Sequence, residues 1–479
     1  MAEFIPSTLV EKYFAAISAI PRPSEHEKAV SDYVVSIAQD LGLPCTQDSL
    51  GNVVVYKAAS PGREAEVPVM LQAHLDMVTV SAPGSSHNFL RDPLQLFVDE
   101  KGNLRAKDTT LGADDGYGTA YLLAAMTEQF SHPPLECVFT VQEENGCYGA
   151  QGLDASLISS RRMIGLDTLG QNIENTCCVS CYCSDRLIIS GEPEIAEDDG
   201  KLLCIHLSGL QPVRTGALVH PEQGNAIKIM TRLLKKLPFP VRLCLMKGGE
   251  AENYNPVECD AVISLPGEVI EEEAENKLRT ELKTIDNEIN QGTQDLQLTM
   301  RWEGKTQLSI SHYDTKILLN LLDLLPSGTC EISPKDGSMI ATNNIGLIDL
   351  NVENFRIVMS DRAKDPGCLD GINRRVTELC EMSGCSLSIE NRYLPWVYRP
   401  DSPLLQATAA LMKEQWGEDM VENICPGGLE LCDFLVKIPD LDCVMFAPIG
   451  GECHSTSEWM DRASFNRMYG FLKDLLAKI

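Results

Sequence analysis

The stretch VPVMLQAHLD, residues 67–76, decides the fold. Its apolar part is typical of a buried strand that ends at His74, and residues 135–141 predict a second strand that ends before the Glu143-Glu144 pair. The first 190 residues alternate between such runs and helix-like segments, which favours a sheet with crossover helices. In an open α/β sheet, sites form beyond the carboxyl ends of the strands. We therefore expect these polar residues to meet in one crevice.

The chain, with 479 residues, is long enough for two domains. An acidic stretch at residues 191–201 changes the composition, and we interpret it as a linker. Beyond it, strand-helix-strand patterns recur, which predicts an inserted α+β lid domain with internal duplication. The predicted fold class is α/β, with a catalytic domain that has a mixed, mostly parallel sheet and flanking helices. That domain comprises residues 1–190 and 393–479, and residues 191–392 form the lid and dimerisation domain.

Composition and charge disfavour several classes of protein. Hydrophobic residues make up 44% of the chain and charged residues 23%, as in soluble globular proteins. The net charge of -29 disfavours nucleic acid and anionic membranes as partners, because phosphate groups would repel the protein. The chain starts without a signal-like segment and contains no apolar run long enough to span a membrane. We therefore expect a cytoplasmic protein that binds neither nucleic acid nor a membrane.

The eighteen cysteines are scattered through strand-like runs, where a reduced cysteine behaves as a small apolar residue. We expect free thiols rather than disulfides. The cluster Cys177, Cys178, Cys181 and Cys183 contains one C-x-x-C spacing, which could hold a separate zinc ion. No second pair lies at the distance typical of a zinc finger, so this alternative rests on an incomplete pattern.

Six acidic and histidine side chains in five short motifs form a candidate paired-metal site. Zinc takes imidazole and carboxylate ligands, and one carboxylate can bridge two ions. We assign Asp114 as the bridge. His74 and Asp167 complete the site of one ion. Glu144 and His454 complete the site of the other. We expect two divalent ions, zinc before cobalt or manganese, because the same nitrogen and oxygen ligands accept all three.

Two further carboxylates are assigned to catalysis. Glu143 precedes the ligand Glu144, and consecutive residues on an extended segment point to opposite sides, so Glu143 can face the attacking water as general base. Asp76 lies two residues after His74, where it can hold the outer ring nitrogen of that histidine. Each short motif alone is more often structural than catalytic. All five motifs in this order favour catalysis.

Across essentially the whole chain, these motifs resemble the paired-zinc exopeptidases and deacylases, a family that includes carnosinases, tripeptidase and aminoacylases. Within that family the chain is most similar to the aminoacyl-histidine dipeptidases, also called cytosol non-specific dipeptidases. The resemblance implies a two-zinc catalytic domain interrupted by a lid, a homodimer, and hydrolysis of dipeptides with a free amino end, of Xaa-His type or of broad specificity. It rests on the runs LQAHLDMV (residues 71–78), LGADDG (111–116), EENG (143–146), GLDT (165–168), GNA (224–226), GG (248–249) with Asn253, GLE (428–430) and HS (454–455).

The same resemblance implies a set of substrate contacts. Asn253 and Arg362, both in the lid, would bind the substrate carboxylate, a task that suits the planar donor fork of arginine. Arg362 could instead form an ordinary surface salt bridge. Gly428 and Glu430 belong to a shared motif and are further substrate-binding candidates.

Three positions depart from the family's pattern. Arg214 stands in the run PVRTG, residues 212–216, where the family carries histidine in Gly-Gly-His-Ser-Gly. That histidine helps to polarise the scissile carbonyl, and Arg214 could replace it as a cationic donor to the oxyanion. Pro426 replaces a histidine and Val257 replaces an arginine. The substrate-facing residues are therefore altered, whereas the metal ligands are intact.

Two other functions stay open. A deacylase of N-acyl amino acids would use the same activated water on a different amide. A metal-binding homologue that has lost catalysis would instead serve in interaction or sensing, and the three departures motivate that hypothesis. The favoured prediction is a metallo-dipeptidase that acts on small peptides.

Overall fold

The computed structural model describes residues 2–170, 172–211, 224–289, 296–335, 337 and 339–479. The chain packs into two compact units. Unit 1 comprises Met1–Cys181, Trp396–Cys425 and Leu429–Ile479, and unit 2 comprises Tyr182–Pro395 and Pro426–Gly428. The acidic stretch at residues 191–201 lies within unit 2 and contains a strand. The three-part domain division stays a prediction.

The described residues form strands and helices that alternate along the chain. The strands are β1 (Ala2–Glu3), β2 (Cys45–Gln47), β3 (Val53–Lys57), β4 (Val69–His74), β5 (Leu96–Val98), β6 (Asn103–Ala106), β7 (Leu135–Thr140), β8 (Arg162–Gly165), β9 (Thr176–Cys181), β10 (Cys183–Gly191), β11 (Ile195–Glu197), β12 (Lys201–Ser208), β13 (Arg242–Gly248), β14 (Cys259–Leu265), β15 (Gln297–Lys305), β16 (Leu308–Ile310), β17 (Gly328–Ile332), β18 (Met339–Asn351), β19 (Phe355–Ala363), β20 (Ser386–Tyr393), β21 (Val421–Cys425), β22 (Asp442–Met445), β23 (Gly450–Gly451) and β24 (Trp459–Asp461). The α-helices are α1 (Leu9–Ser18), α2 (Lys28–Asp40), α3 (Ala113–Thr127), α4 (Tyr148–Gly152), α5 (Ala226–Lys235), α6 (Glu271–Ile289), α7 (His312–Leu324), α8 (Pro366–Ser383), α9 (Pro403–Trp416), α10 (Leu431–Lys437) and α11 (Arg462–Lys478).

The main sheet of unit 1 has the strand order β2-β3-β7-β4-β8-β22-β9-β21. Its central strands β7, β4, β8 and β22 run parallel to one another, and antiparallel strands occur towards both edges. The predicted mixed, mostly parallel sheet with flanking helices is confirmed. Every residue of β4 is buried, as expected for a central strand that is covered on both faces. The carboxyl ends of the parallel strands therefore open on one edge of the sheet.

A second, smaller sheet of unit 1 has the order β1-β5-β6-β24-β23. Its strands β23 and β24 pair with each other and flank the loop that carries His454. Helix α11 follows directly and packs against α1 and α3. A buried cluster of aromatic rings holds these helices together, with Tyr121 stacked on Phe465. The segment after residue 450 is thereby fixed to the first half of the chain.

Unit 2 is built on a nine-stranded antiparallel sheet. Its order is β15-β12-β14-β13-β18-β19-β10-β20, and β17 pairs with β18. Helices α5 to α8 supply the apolar residues that cover it, for example Leu233 in α5 and Leu369 in α8. Helix α8 packs on β10, β18, β19 and β20. The antiparallel sheet with its helices on one core is typical of an α+β unit.

The start of α2 differs from what its local sequence indicates. Ser24 and Glu27 match a capping box, but α2 begins at Lys28 and Glu27 makes no side-chain capping hydrogen bond. The Ser24 hydroxyl instead donates to Asp76 Oδ2 at 2.8 Å. The Ser24 hydroxyl therefore binds the carboxylate of Asp76, 52 positions away, instead of capping the start of α2. None of the helices in the described part of the chain combines the length and the apolar character that a membrane span requires.

Candidate metal centre

All six residues of the candidate paired-metal site lie in unit 1. His74 is the last residue of β4, the Glu143-Glu144 pair follows β7, and Asp167 follows β8. Asp114 lies at the start of α3, and His454 lies between β23 and β24. The parallel arrangement of β7, β4 and β8 explains why three distant motifs share one edge.

The carboxylate of Asp114 lies between two imidazoles. His74 Nε2 is 3.5 Å from Asp114 Oδ1, and His454 Nε2 is 3.3 Å from Asp114 Oδ2. Each oxygen of this carboxylate thus faces a different histidine, although the two histidines are separated by 380 positions in the sequence. A carboxylate in this position can serve two cations at once.

Each imidazole has a second carboxylate beside it. Asp167 Oδ1 lies 3.9 Å from His74 Nε2, and Glu144 Oε1 lies 2.9 Å from His454 Nε2. Among the described residues, three groups have ligand atoms close enough to one another to hold an ion: His74, Asp114 and Asp167; Asp114, Glu144 and His454; and His74, Glu143 and Glu144. The first two groups share Asp114.

The chemistry of these atoms fits a pair of cations. His74 Nε2, Asp114 Oδ1 and Glu144 Oε1 are buried and make no hydrogen bond within the described residues. Burial lowers the pKa of His454, but its ion pairs with the carboxylates of Asp114 and Glu144 outweigh this effect and raise that pKa to about 11. The carboxylates thus create a field that draws positive charge onto the ring. The same field favours a divalent cation, which metal ligands bind in place of protons.

Asp76 braces the histidine at the end of β4. Its Oδ1 lies 3.3 Å from His74 Nδ1, whereas the other ring nitrogen, Nε2, faces Asp114. The sequence predicts this position for Asp76. The same carboxylate accepts the backbone N–H groups of Glu143 at 3.0 Å and Glu144 at 3.1 Å. One buried side chain therefore orients both His74 and the Glu143-Glu144 pair.

Glu143 lies beside the metal-ligand candidates, and its ligand atom belongs to a group with those of His74 and Glu144. Burial raises the pKa of Glu143 well above its ordinary value, and the nearby carboxylates Glu144 and Glu430 act in the same direction. Its backbone is held by Asp76, as described above. The arrangement thus places a further carboxylate beside the two groups that share Asp114.

Three residues that position the site were missed by sequence reasoning. Arg22 is fully buried, and its Nη1 donates to the carbonyl oxygens of Leu75 at 2.9 Å and Asp76 at 2.8 Å. Asp115 Oδ2 accepts the backbone N–H of His74 at 3.2 Å. Glu458 accepts four backbone N–H groups from the loop of Asp114, at residues 111–114. Asp115 lies in the run LGADDG, but its partner His74 is 41 positions away, so the motif does not show its role. No quoted motif contains Arg22 or Glu458, whose partners lie 53 to 347 positions away.

Of the predicted substrate contacts, Glu430 lies in unit 1. Its Oε2 accepts hydrogen bonds from Gln72 Nε2 at 2.6 Å and from the hydroxyl of Thr140 at 2.8 Å. Burial raises the pKa of Glu430 to about 8. The residue is 1% exposed and links β4 to β7 beneath the metal-ligand candidates. Its role in substrate binding stays a prediction.

The other predicted contacts belong to unit 2. Arg362 lies on β19, and its Nη1 donates to the carbonyl oxygen of Pro426 at 3.2 Å. A side chain at position 428 would place its Cβ 2.7 Å from Cγ of Tyr393. Steric overlap with Tyr393 therefore favours glycine at this position. Asn253 is half-buried between β13 and β14, and Val257 packs against the core of unit 2. Arg214 lies outside the described residues.

Comparisons with known proteins give one matching family. The profile described as Peptidase family M20/M25/M40 matches residues 70–478. The chain is 27% identical to the cytosol non-specific dipeptidase of Escherichia coli (strain K12) over 471 residues, which cover 97% of this chain and 96% of that protein. It is similar over 98% of its length to the crystal structure of aminoacylhistidine dipeptidase from Vibrio alginolyticus, with a TM-score of 0.79, 25% identity and 96% of that chain covered. A tripeptidase from Staphylococcus aureus subsp. aureus Mu50 shares the fold, with a TM-score of 0.61, 15% identity and coverage of 98% of this chain and 97% of that one.

Proposed function

Because the chain belongs to peptidase family M20/M25/M40 and is a metallopeptidase, we propose that it hydrolyses dipeptides with a free amino end at a site for two divalent cations. The observation that carries the proposal is the position of Asp114, whose two carboxylate oxygens each face one histidine. The names of the similar E. coli and V. alginolyticus proteins supply the substrate class.

The proposed ligand sets follow the two groups of side chains. His74 and Asp167 hold one cation, Glu144 and His454 hold the other, and Asp114 is shared. Imidazole and carboxylate donors of this kind suit zinc, with cobalt and manganese as alternatives. Bound there, a pair of divalent cations supplies the Lewis acidity that lowers the pKa of a water molecule and polarises the scissile carbonyl.

Glu143 is the proposed general base. It takes a proton from the attacking water and later passes that proton to the leaving amine, which departs as the neutral product. Its backbone N–H is held by Asp76 Oδ1, so the carboxylate keeps its position while the proton moves. Asp76 does not contact substrate in this proposal. It fixes the ring of His74 and the direction of the Glu143-Glu144 pair.

The proposed substrate contacts assign the peptide's carboxylate to Asn253 and Arg362. An arginine fork can bind a carboxylate through two parallel hydrogen bonds. Arg214 would donate to the oxyanion in place of the family's histidine. Gly428 and Glu430 complete the proposed substrate-binding set.

The cellular setting is part of the same proposal. We infer a homodimer in the cytoplasm that acts on small peptides and uses neither nucleic acid nor a membrane as partner. The relative from E. coli is described as a cytosol protein. The cysteines described in the structure are free thiols, which suits a reducing compartment. Size-exclusion chromatography with light scattering tests the dimer.

A dipeptide panel tests the substrate class. Purified protein is stripped of metal and reloaded separately with Zn²⁺, Co²⁺ or Mn²⁺, and each sample is assayed on free dipeptides, among them Xaa-His, and on the N-acetylated form of each peptide. We expect hydrolysis of free dipeptides and at least a tenfold preference for them over the N-acetylated forms. The opposite preference would identify a deacylase of N-acyl amino acids. Inactivity of all three metal forms on the whole panel would favour a homologue that has lost catalysis.

The variant Glu143→Gln tests the mechanism. Its side chain keeps nearly the same shape but cannot accept the proton. We expect turnover to fall by about 10²- to 10⁴-fold, the usual contribution of a general base, while the protein still binds two equivalents of metal. Glu100→Gln, at an exposed position in the turn between β5 and β6, is the control and should behave as wild type. Full activity of metal-loaded Glu143→Gln would remove Glu143 from this role.

A further inference from the structure

A row of polar residues crosses the middle of the sheet of unit 2. Asp361 on β19 lies opposite Asp185 on β10 in one pairing and opposite Asn343 on β18 in the other. Directly opposed residues on antiparallel strands point to the same face, with Cβ atoms about 4.5–5.5 Å apart. The three side chains therefore stand side by side on one face of the sheet.

Helix α8 adds a fourth residue to this row. Asn373 donates through Nδ2 to Asp185 Oδ2 at 2.5 Å, and Asn343 donates through Nδ2 to Asp361 Oδ1. Asp361 is 0% exposed, Asn343 1%, Asp185 2% and Asn373 7%. We call these four residues the oxygen cluster. Each asparagine turns its amide nitrogen to a carboxylate and leaves its own carbonyl oxygen for another partner.

The remaining oxygens of the oxygen cluster lack hydrogen bonds. Within the described residues no hydrogen bond reaches Oδ1 of Asn343, Oδ2 of Asp361 or Oδ1 of Asn373, and Oδ1 of Asp185 has only an ion pair with Arg392. Buried polar atoms almost always have a partner, and a buried oxygen without one costs about 1–3 kcal/mol. All four atoms are acceptors. A single group that offers positive charge in several directions would satisfy them together.

The charges around the oxygen cluster do not balance. Arg392 Nε lies 3.5 Å from Asp185 Oδ1, but the same guanidinium also pairs with Asp370 through Nη2. Asp361 makes no ion pair within the described part of the chain, and Asp185 is the charged neighbour that acts on it. One guanidinium thus serves two carboxylates, and the third, Asp361, has no cationic partner among the described residues. Buried carboxylates are normally paired with a cation or coordinate a metal.

We propose that the oxygen cluster binds one hard cation through oxygen atoms of Asp185, Asn343, Asp361 and Asn373. Carboxylate and amide oxygens are the ligands that Ca²⁺ and Mg²⁺ prefer, and the cluster contains neither imidazole nor thiolate, so zinc is disfavoured. This site differs in donor chemistry from the candidate metal centre of unit 1. It does not rest on the proposed peptidase function. Ca²⁺ is the best match, because its coordination is flexible and tolerates ligands from three strands and a helix.

Elemental analysis tests this proposal. Full-length protein is kept saturated with Zn²⁺, equilibrated with Ca²⁺ or with Mg²⁺, passed over a desalting column and analysed for metal. We expect wild type to retain about one equivalent of the hard cation that Asp361→Asn does not retain, as one site predicts. Asp370→Asn is the matched control, because Asp370 contacts the same Arg392 but is exposed, and it should retain as much as wild type. Equal contents of wild type and Asp361→Asn would overturn a divalent site.

Thermal unfolding of the wild-type protein provides a second test. It detects binding of monovalent cations as well as divalent ones, and it does not require the variant Asp361→Asn to fold. A cation that binds only the folded state raises the midpoint steadily as its concentration rises above the dissociation constant. We expect Ca²⁺, Mg²⁺, Na⁺ or K⁺ to do so at constant ionic strength, and the effective ion identifies the ligand. A midpoint that none of the four changes would mean that a shared proton or a buried water satisfies the cluster, and would overturn the proposal.

Discussion

The backbone N–H of Asp114 donates to Oε1 of Glu458 at 3.3 Å, so the residue between the two imidazoles is held by a carboxylate that follows His454 by four positions. The N–H groups of Leu111, Gly112 and Ala113 donate to the same carboxylate, at 2.7 to 2.9 Å. The segment that supplies one histidine thus also fixes the loop that supplies the shared carboxylate. The last part of the chain thus supplies His454 and also positions Asp114, which belongs to both ion groups.

Glu458→Gln should therefore weaken the metal centre without removing a ligand. A glutamine has one carbonyl oxygen and an NH₂ group, and the latter would face backbone N–H donors. We expect kcat/KM and metal affinity to fall by about 10- to 100-fold, as for other residues that orient metal ligands. Zinc titration and steady-state assays measure both. Glu414→Gln, whose side chain is 65% exposed, should leave both unchanged, and an equal loss in the two variants would contradict the positioning role.

Arg22 is the second residue that ties the site together. Its fork reaches the carbonyl oxygens of Leu75, Asp76 and Gly112, and so joins the loop after β4 to the loop before α3. Lysine keeps the charge but cannot reproduce this planar geometry. We expect Arg22→Lys to lower the free energy of unfolding by about 3 kcal/mol, since it leaves buried carbonyls unsatisfied. Denaturant unfolding measures this free energy. Arg91→Lys, at a side chain that is 72% exposed, should stay within about 0.5 kcal/mol of wild type.

Much of the fold was predictable because local patterns are strong where strands are fully buried. The apolar runs that become β4 and β7 appear in the described residues at the expected places, and strands and helices recur beyond residue 201 as predicted. Local capping was less reliable. Ser24 has the composition of an N-cap, but its hydroxyl serves Asp76, which is 52 positions away. A local sequence pattern cannot show a hydrogen-bond partner that lies so far away along the chain.

The metal-ligand candidates were predictable for a related reason. His74, the Glu143-Glu144 pair and Asp167 follow parallel strands and so converge by topology, whereas Asp114 and His454 were grouped with them by their motifs. Arg22 and Glu458 were not predictable. Their side chains bind backbone N–H and C=O groups, which almost all residue types have. The sequence therefore does not show which backbone groups they bind. The oxygen cluster was missed likewise, since its row depends on the register of three strands.

Loss of one histidine should remove one cation rather than both. His454 faces Glu144 and Asp114, whereas His74 faces Asp114 and Asp167, so each ion group keeps its own ligands when the other is damaged. We expect His454→Ala to bind about one equivalent of zinc in place of two and to lose most of its activity. Elemental analysis after removal of loosely bound metal gives the stoichiometry. His206→Ala, a variant at a half-exposed histidine of unit 2, should retain two. Two tightly bound equivalents in His454→Ala would contradict its assignment as a ligand.

A buried ion pair near the amino terminus should make stability depend on acid pH. Arg462 donates to both oxygens of Glu11, at 2.7 and 2.8 Å, and Ser7 and Asn466 add further hydrogen bonds. Burial opposes ionisation of Glu11, but these donors outweigh it and lower the pKa from its ordinary 4.5 to about 2. The unfolded chain therefore binds the proton first as the pH falls, so the stabilisation is complete above pH 4.5 and is lost towards pH 2.

At pH 7 we expect Glu11→Gln to be less stable than wild type by about 2 kcal/mol, and the gap to narrow below pH 4.5. Denaturant unfolding from pH 7 to pH 3.5 measures the gap, and a gap that stays constant over that range would show that the charge of Glu11 does not contribute. Asp32→Asn, which changes an exposed carboxylate that pairs with Lys28 and accepts a hydrogen bond from Gln47, is the control and should stay within about 0.5 kcal/mol of wild type throughout.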